Sequence, residues 1–297
     1  MSATIIDGKK IAQDIKDSLV DRIQDLKSAG VEPCLAAVLV GDDPASQKYV
    51  ASKGRVCEKL GMRRLVHRLP AATTQQELRD LIDSLNADRS VHGILVQLPL
   101  PRGLDAKEIM SRISPEKDVD GFSPVSLGNL VLDRPGFLPC TPHGVMKILE
   151  SAGVDPSGKH AVVVGRSIIV GKPLALLLLR KNATVTVCHS KTADLPAVCR
   201  TADILCVAVG KPGLVTADMV KEGAVVIDIG INVTAQGELT GDVDFASVRR
   251  KAVMITPVPG GVGPLTIALL MHNTVQAAGQ QSSRRFMTAD AYAGDGN

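Results

Sequence analysis

His160-Ala-Val-Val-Val-Gly-Arg-Ser-Ile-Ile-Val-Gly-Lys-Pro-Leu-Ala-Leu-Leu-Leu-Leu-Arg180 is the stretch whose reading decides the fold. Residues 161–164 form a short β-branched run of the kind that makes a strand buried on both faces. Gly165, Arg166 and Ser167 follow at once. Gly171 and Pro173 then open a second apolar run, residues 174–179, rich in the helix formers Leu and Ala. The unit reads strand, tight loop, helix. Its glycines let the loop backbone lie close to a ligand at the helix N-terminus, where free N–H groups and the positive dipole end suit a phosphate.

Working outward, apolar runs at 183–188, 204–209 and 224–229 alternate with helical or turn segments, a doubly wound pattern. Upstream, Ile11, Ile15, Leu19, Ile23 and Leu26 make one stripe and predict a single helix ended by Gly30. Residues 35–40 read as a buried strand. Asp43 and Pro44 cap and open a helix running to about Leu60, on which Tyr49 and Lys53 share a face. Residues 62–69 are a further strand candidate, and Thr74 with Glu77 makes a capping box. In Val91-His-Gly-Ile-Leu-Val-Gln-Leu-Pro-Leu-Pro101 the strand must stop near Gln97, because Pro99 and Pro101 cannot donate to a ladder. Gln97 therefore sits at a carboxyl end, outside which the ligand crevices of open α/β sheets form. A helix over 105–113, an acid-bearing loop over 114–122, a helix from Thr141 to near Gly153, a stiff Pro/Gly loop over 255–266 and a helix over 265–278 complete the pattern.

At 297 residues the chain exceeds what one core serves, which predicts two domains. Its 34 Lys and Arg against 31 Asp and Glu leave a net charge of +3 and no long basic run, which argues against nucleic acid as a partner. With no Trp, two Tyr and four Phe, the cores must be aliphatic, as helices packed on a parallel sheet require. The six cysteines form no Cys-x-x-Cys pair and read as buried free thiols in a reducing compartment. Residues 1–10 lack the apolar core of a secretion signal, and no apolar run approaches the ~20 residues of a membrane span. A cytoplasmic protein without a membrane partner is expected.

Gly165-Arg-Ser-Ile-Ile-Val-Gly171 departs from G-x-G-x-x-G because Ser167 stands where the second glycine would be, and a plain strand–turn–helix is the alternative reading. It is not a nucleophile elbow either, since Ile169 breaks G-x-S-x-G. Arg166 favours the 2′-phosphate of NADP through bidentate contact, with Ser190 placed to help. For NAD an acid would be expected at the end of the next strand, where Cys188, His189, Ser190 and Lys191 stand instead. Taken singly, Lys53 reads as a solvated surface residue, Tyr49 as half-buried packing, and Asp118 and Asp120 as loop caps. His143, His160 and His272 carry no metal spacing, and no metal is expected.

Several stretches together are more telling. Tyr49-x-x-x-Lys53, residues 91–101, Pro115-Glu-Lys-Asp-Val-Asp-Gly121, Pro139-Cys-Thr-Pro142, Val164-Gly-Arg-Ser-x-Ile-Val-Gly-x-Pro173, His189-Ser-Lys-Thr192 and Thr256-Pro-Val-Pro-Gly-Gly-Val-Gly-Pro-Leu-Thr266 resemble, in order, the bifunctional methylenetetrahydrofolate dehydrogenase and methenyltetrahydrofolate cyclohydrolase family, FolD. The resemblance runs from about Ile6 to Ala278. It implies a homodimer of two α/β domains with folate in the cleft between them. An N-terminal folate-binding catalytic domain, residues 1–140, would be completed by a returning C-terminal helix, residues 264–279. A Rossmann-like, doubly wound NADP-binding domain would occupy 141–263, and residues 280–297, outside the pattern, are expected to be a disordered tail. Lys53 would be the central catalytic group, with Gln97 hydrogen-bonding it and Tyr49 packing near the folate. Leu98, Pro99, Asp120, Pro259, Gly260 and Gly261 would complete the substrate site, Asp120 holding the pterin. Gly165, Arg166, Ser167, Ser190 and Ile231 would bind NADP. The implied chemistry is NADP-dependent oxidation of 5,10-methylenetetrahydrofolate followed by hydrolysis to 10-formyltetrahydrofolate. A hydroxy-acid or NAD-dependent two-domain oxidoreductase, and a non-catalytic two-domain binding module, are the rival readings.

Overall fold

The computed structural model describes the backbone of residues 2–293 and the side chains of residues 2–283. Its strands in chain order are β1 (Thr4–Ile5), β2 (Cys34–Val40), β3 (Arg63–Leu69), β4 (Gly93–Val96), β5 (His160–Val164), β6 (Thr184–Cys188), β7 (Ile204–Val207), β8 (Val225–Asp228), β9 (Asn232–Val233), β10 (Leu239–Thr240) and β11 (Met254–Ile255). The described chain separates into two compact units: residues 2–14 with 129–269, and residues 15–128 with 270–293. The sequence reading puts the joins at 140/141 and 263/264.

The first unit holds a six-stranded parallel sheet in the order β1-β11-β8-β7-β5-β6. The chain passes from β5 outward to β6 and then returns across β5 to β7, so strand order reverses beside β5 and opens a crevice at the carboxyl ends there. Its aliphatic core includes Val162, Val164, Leu205, Val207, Val226 and Ile255, all buried. Residues 2–14 belong to this unit because β1 pairs in parallel with β11, Thr4 opposite Met254. That pairing joins segments 250 residues apart and only two residues long, which no hydrophobic period could announce.

In the second unit three parallel strands lie in the order β3-β2-β4. β2 is buried along its whole length, as a central parallel strand covered on both faces must be. Helices Pro44–Lys59 and Gln75–Ala87 follow β2 and β3. The first is capped by Asp43, whose carboxylate accepts from the Ser46 N–H at 2.8 Å, and the second by the expected Thr74–Glu77 box.

Two expectations are corrected. The single helix expected over residues 11–26 is two, Gly8–Asp17 and Val20–Ser28, broken where the Ser18 hydroxyl donates to the Ile15 carbonyl at 2.7 Å and competes with the helical ladder. The tail expected to be disordered from Gln280 is helical: the last helix runs Val262–Ala293. Gln281, buried, donates from Nε2 to the carbonyls of His92 and Glu116 at 3.0 Å each, and Asn273 donates to the Val119 carbonyl at 2.8 Å. Residues 270–293 thus join the second unit, the returning helix the sequence reading expects. Residues 294–297 of the expected tail lie outside the described residues.

The six cysteines are buried and free. Burial pushes the Cys57, Cys199 and Cys206 thiols up to about 12, which leaves them protonated and inert. No described helix is long and apolar enough to cross a membrane. Among the described residues no cluster of His, Cys, Asp or Glu could hold a metal ion.

Candidate active site

In the second unit, β4 ends at Val96, and the Gln97 N–H adds one more bond to the ladder, to the Val38 carbonyl at 2.9 Å. The Gln97 side chain is thereby fixed at a carboxyl end beside β2, where the strand order reverses. Its Nε2 donates to the Leu98 carbonyl at 2.8 Å, which leaves Oε1 as the acceptor aimed at the helix Pro44–Lys59. Lys53 Nζ donates to that Oε1 at 3.1 Å. Lys53 and Gln97 are both half-buried, so the ammonium is held by a neutral partner and still has donors for a ligand. Tyr49, one turn earlier, is 38% exposed, and its own partial burial raises the pKa of its hydroxyl. The structure therefore brings together Tyr49, Lys53, Gln97 and Leu98 on one side of this unit; the Leu98–Pro99 peptide is cis and Pro99 is exposed.

The two acids of the loop after the helix Ala106–Arg112 divide their roles. Asp118, buried, accepts from the N–H groups of Gly121, Phe122 and Ser123 and from the Ser126 hydroxyl, at 2.6–3.1 Å. It closes the loop on itself, as the loop-cap reading expects. Lys117, also buried, donates to the carbonyls of Leu85, Asn86 and Asp88 at 2.7–2.9 Å, where the helix Gln75–Ala87 leaves acceptors unsatisfied. Asp120, just after these anchors, is half-buried. A rigid loop presents it.

The first unit presents a different surface. Gly165 ends β5 at φ +129°, and a Cβ there would collide with the Ala208 carbonyl oxygen of the next segment. A Cβ on Gly171 would likewise strike the Gly165 carbonyl oxygen. Two backbones cross here with no room for a side chain, and the loop lies where a pyrophosphate could rest on the helix Gly171–Arg180. The Ser167 hydroxyl accepts from the Val170 N–H at 3.1 Å and the Gly171 N–H at 3.4 Å, which leaves its own hydrogen to donate. Arg166 is exposed. After β6, the His189 N–H bonds Thr192 Oγ1 at 2.9 Å and the Lys191 N–H bonds His189 Nδ1 at 3.1 Å, a tight turn that leaves Ser190 exposed. Ile231, 43% exposed, follows β8. All five expected cofactor residues thus follow the carboxyl ends of this sheet. No acid ends β6, and an exposed guanidinium and hydroxyl stand on this edge: the donor set fits a ribose 2′-phosphate better than a free 2′-hydroxyl.

The loop bearing Pro259, Gly260 and Gly261 belongs to this same unit. Thr256, fully buried, starts it; the Val258–Pro259 peptide is cis and Gly260 sits at φ +112°. Gly261 has no room for a side chain against Pro257 and Thr256, and the Ile231 side chain lies 3.7 Å from where a Gly263 Cβ would stand.

Sequence reasoning missed the buried pair Asp228 and Asp242. Asp242 accepts four hydrogen bonds and Asp228 three, all at 2.6–3.0 Å. Gly230 and Gly241, which leave these carboxylates room, are the trace they leave in the sequence.

A family model described as the tetrahydrofolate dehydrogenase/cyclohydrolase catalytic domain matches residues 6–120, and one described as the NAD(P)-binding domain of the same enzymes matches residues 139–282. A bifunctional protein FolD from Moorella thermoacetica is 61% identical over 278 residues, spanning 94% of this chain and 99% of that protein. The solved structure of bifunctional FolD from Campylobacter jejuni matches with a TM-score of 0.92 at 52% identity, over 94% of this chain and 100% of that one. The Trypanosoma brucei methylenetetrahydrofolate dehydrogenase-cyclohydrolase, solved with NADP and an inhibitor, matches with a TM-score of 0.92 at 39% identity, over 95% and 99% of the two chains.

Proposed function

The chain belongs to the tetrahydrofolate dehydrogenase/cyclohydrolase family, and from that premise we infer how its residues share the work. It is a bifunctional one-carbon enzyme that oxidises 5,10-methylenetetrahydrofolate to 5,10-methenyltetrahydrofolate with NADP and then hydrolyses the product to 10-formyltetrahydrofolate.

When bound, NADP supplies the hydride acceptor. The folate nitrogens stabilise the cation left on the one-carbon bridge, so the chain's task in this step is alignment. Gly165, Ser167 and the N-terminus of the helix Gly171–Arg180 hold the pyrophosphate, Arg166 and Ser190 the 2′-phosphate, and Ile231 packs on the cofactor. Asp120 accepts two hydrogen bonds side by side from the amino-pyrimidine edge of the pterin. Tyr49 packs on the folate, and Leu98, Pro99, Pro259, Gly260 and Gly261 supply further contacts to it.

The hydrolysis is proton chemistry. Water adds to the methenyl carbon and loses one proton; the bond from that carbon to one ring nitrogen then breaks as the nitrogen gains a proton and the new hydroxyl gives up its own to become the formyl carbonyl. Lys53 moves these protons, and Gln97 orients it without adding a charge. The 3.1 Å bond from Lys53 Nζ to Gln97 Oε1 carries this reading. The enzyme works as a homodimer, as the family resemblance implies. Six buried free thiols fit a reducing compartment, and we place it in the cytoplasm. The near balance of charge fits a small-molecule substrate with no nucleic-acid partner.

A coupled assay on the purified chain tests this reading, following methenyl formation and decay with NADP beside NAD. Reduced nicotinamide formed faster with NADP, then decay of the methenyl product, is the expected result. Absence of reduced nicotinamide would leave a binding module, and preference for NAD would remove the 2′-phosphate site.

A further inference from the structure

We propose that Asp242 is a positioning residue for the cofactor: its buried carboxylate sets the backbone of the loop after β7 and the segment after β8 as the wall of the crevice that opens beside β5. This inference rests on the NADP reading above and extends it to residues that touch no ligand.

The geometry is a hub. Asp242 is fully buried, and its Oδ2 accepts from the Val209 N–H at 2.6 Å and the Gly210 N–H at 2.9 Å. Its Oδ1 accepts from the Lys211 N–H at 2.7 Å and from Asn232 Nδ2 at 2.9 Å. Three successive backbone N–H groups thus turn inward onto one carboxylate. Residues 209–211 follow Ala208, whose carbonyl is the one that crowds Gly165, so this loop borders the phosphate-facing turn directly. Asn232 follows Ile231, so the same carboxylate also ties the segment after β8 to that loop, on the β7 side of the crevice.

A second carboxylate holds the first. Asp228 ends β8, is buried, and accepts from the N–H groups of Gly230, Asp242 and Val243 at 3.0 Å each. The Asp228 N–H in turn donates to Thr256 Oγ1 at 2.8 Å, at the start of the loop that carries Pro259 to Gly261. Neither Gly230 nor Gly241 could carry a Cβ without displacing a carboxylate, so the packing around the pair is made for these two acids. A pair of like charges buried together costs stability, and burial lifts the Asp228 carboxyl to about 6. A loop that needed tying merely for stability could be tied by neutral side chains. A carboxylate that gathers three successive N–H groups holds a main-chain conformation rigid, which a dinucleotide surface made of backbone requires.

The test uses the full chain. Asp242→Asn places an amide where N–H donors converge. NADP affinity is measured by calorimetry, and methenyl hydrolysis in the absence of NADP is measured beside it. Losing charged hydrogen bonds predicts an NADP Kd raised about tenfold or more, with methenyl hydrolysis within about twofold of the unaltered chain. An unchanged Kd, or hydrolysis falling in step with binding, would overturn the proposal. If Asp242→Asn does not fold, Asn232→Ala decides, because it removes one neutral arm of the hub: a Kd raised about threefold supports the proposal, and an unchanged Kd overturns it. If the unaltered chain binds no NADP at all, the cofactor reading has failed, and not the hub alone.

Discussion

At the carboxyl ends of the six-stranded sheet the chain presents backbone: glycines with no room for a Cβ, N–H groups at a helix start, and loops tied from behind by buried acids. At the carboxyl end of β4 in the three-stranded sheet it presents a side chain, Gln97, which accepts from Lys53 on the helix Pro44–Lys59, while Asp118 closes the loop that carries Asp120. The contrast follows the chemistry assigned to each. Holding a dinucleotide needs fixed dipoles that never change state, and backbone supplies them without side-chain entropy. Hydrolysing a methenyl bridge needs a group that gains and loses protons, and a side chain alone can do that. One site is rigid by packing; the other is proposed to react through a single amine.

The comparison can be broken first at its most rigid point. Gly165→Ala forces a methyl toward the Ala208 carbonyl at φ +129° and should cost about 3 kcal/mol of stability, with NADP binding lost, in a thermal melt and a titration. Loss of neither would show that the backbone there is compliant.

Next in size is the cost of the buried acids. Asp228 has its carboxyl raised from 3.8 to about 6, so its ionised form is disfavoured in the fold. Its contribution to stability is fully present below about pH 3.8 and is lost as pH rises through about 6, on the order of 2–3 kcal/mol in all. Asp228→Asn removes this loss. Relative to the unaltered chain, its stability should rise by that order between pH 4 and pH 7, and parallel pH profiles would contradict the assignment.

Arg166→Ala should raise the KM for NADP about tenfold and leave that for folate nearly unchanged, since one charged bidentate contact is removed. Equal effects on both would take Arg166 out of the 2′-phosphate site. The smallest effect is expected far from either ligand. Gln281→Ala leaves the His92 and Glu116 carbonyls without that donor and should lower stability by about 1 kcal/mol in denaturant unfolding. An unchanged midpoint would mean that the last helix is not tied there.

Where local chemistry decides structure, it was legible. The Asp43 cap, the Thr74–Glu77 box, the stop of β4 before Pro99 and the glycine turn after β5 each follow from a few adjacent residues. Gln97 and Lys53 could be placed near carboxyl ends and on a helix face, yet their contact is set by tertiary packing, and the family resemblance alone supplied it. The β1–β11 pair escaped because two-residue strands have no period. The break at Ser18 escaped because an unbroken apolar stripe outweighed one hydroxyl. The continuation of the last helix past Gln280 was hidden by its polar composition, since Gln281 is buried for its hydrogen bonds and not for hydrophobicity. Asp118, Asp228 and Asp242 look like any loop acid in sequence; only the fold shows which carboxylates are surrounded by N–H donors.

The division between a binding surface and a proton-moving side chain is tested most directly by methenyl hydrolysis in Lys53→Met, started from 5,10-methenyltetrahydrofolate without NADP, with folate affinity measured on the same preparation. The rate should fall about a hundredfold or more, toward the uncatalysed background, while the folate Kd stays within about twofold. Hydrolysis at the rate of the unaltered chain would contradict the account.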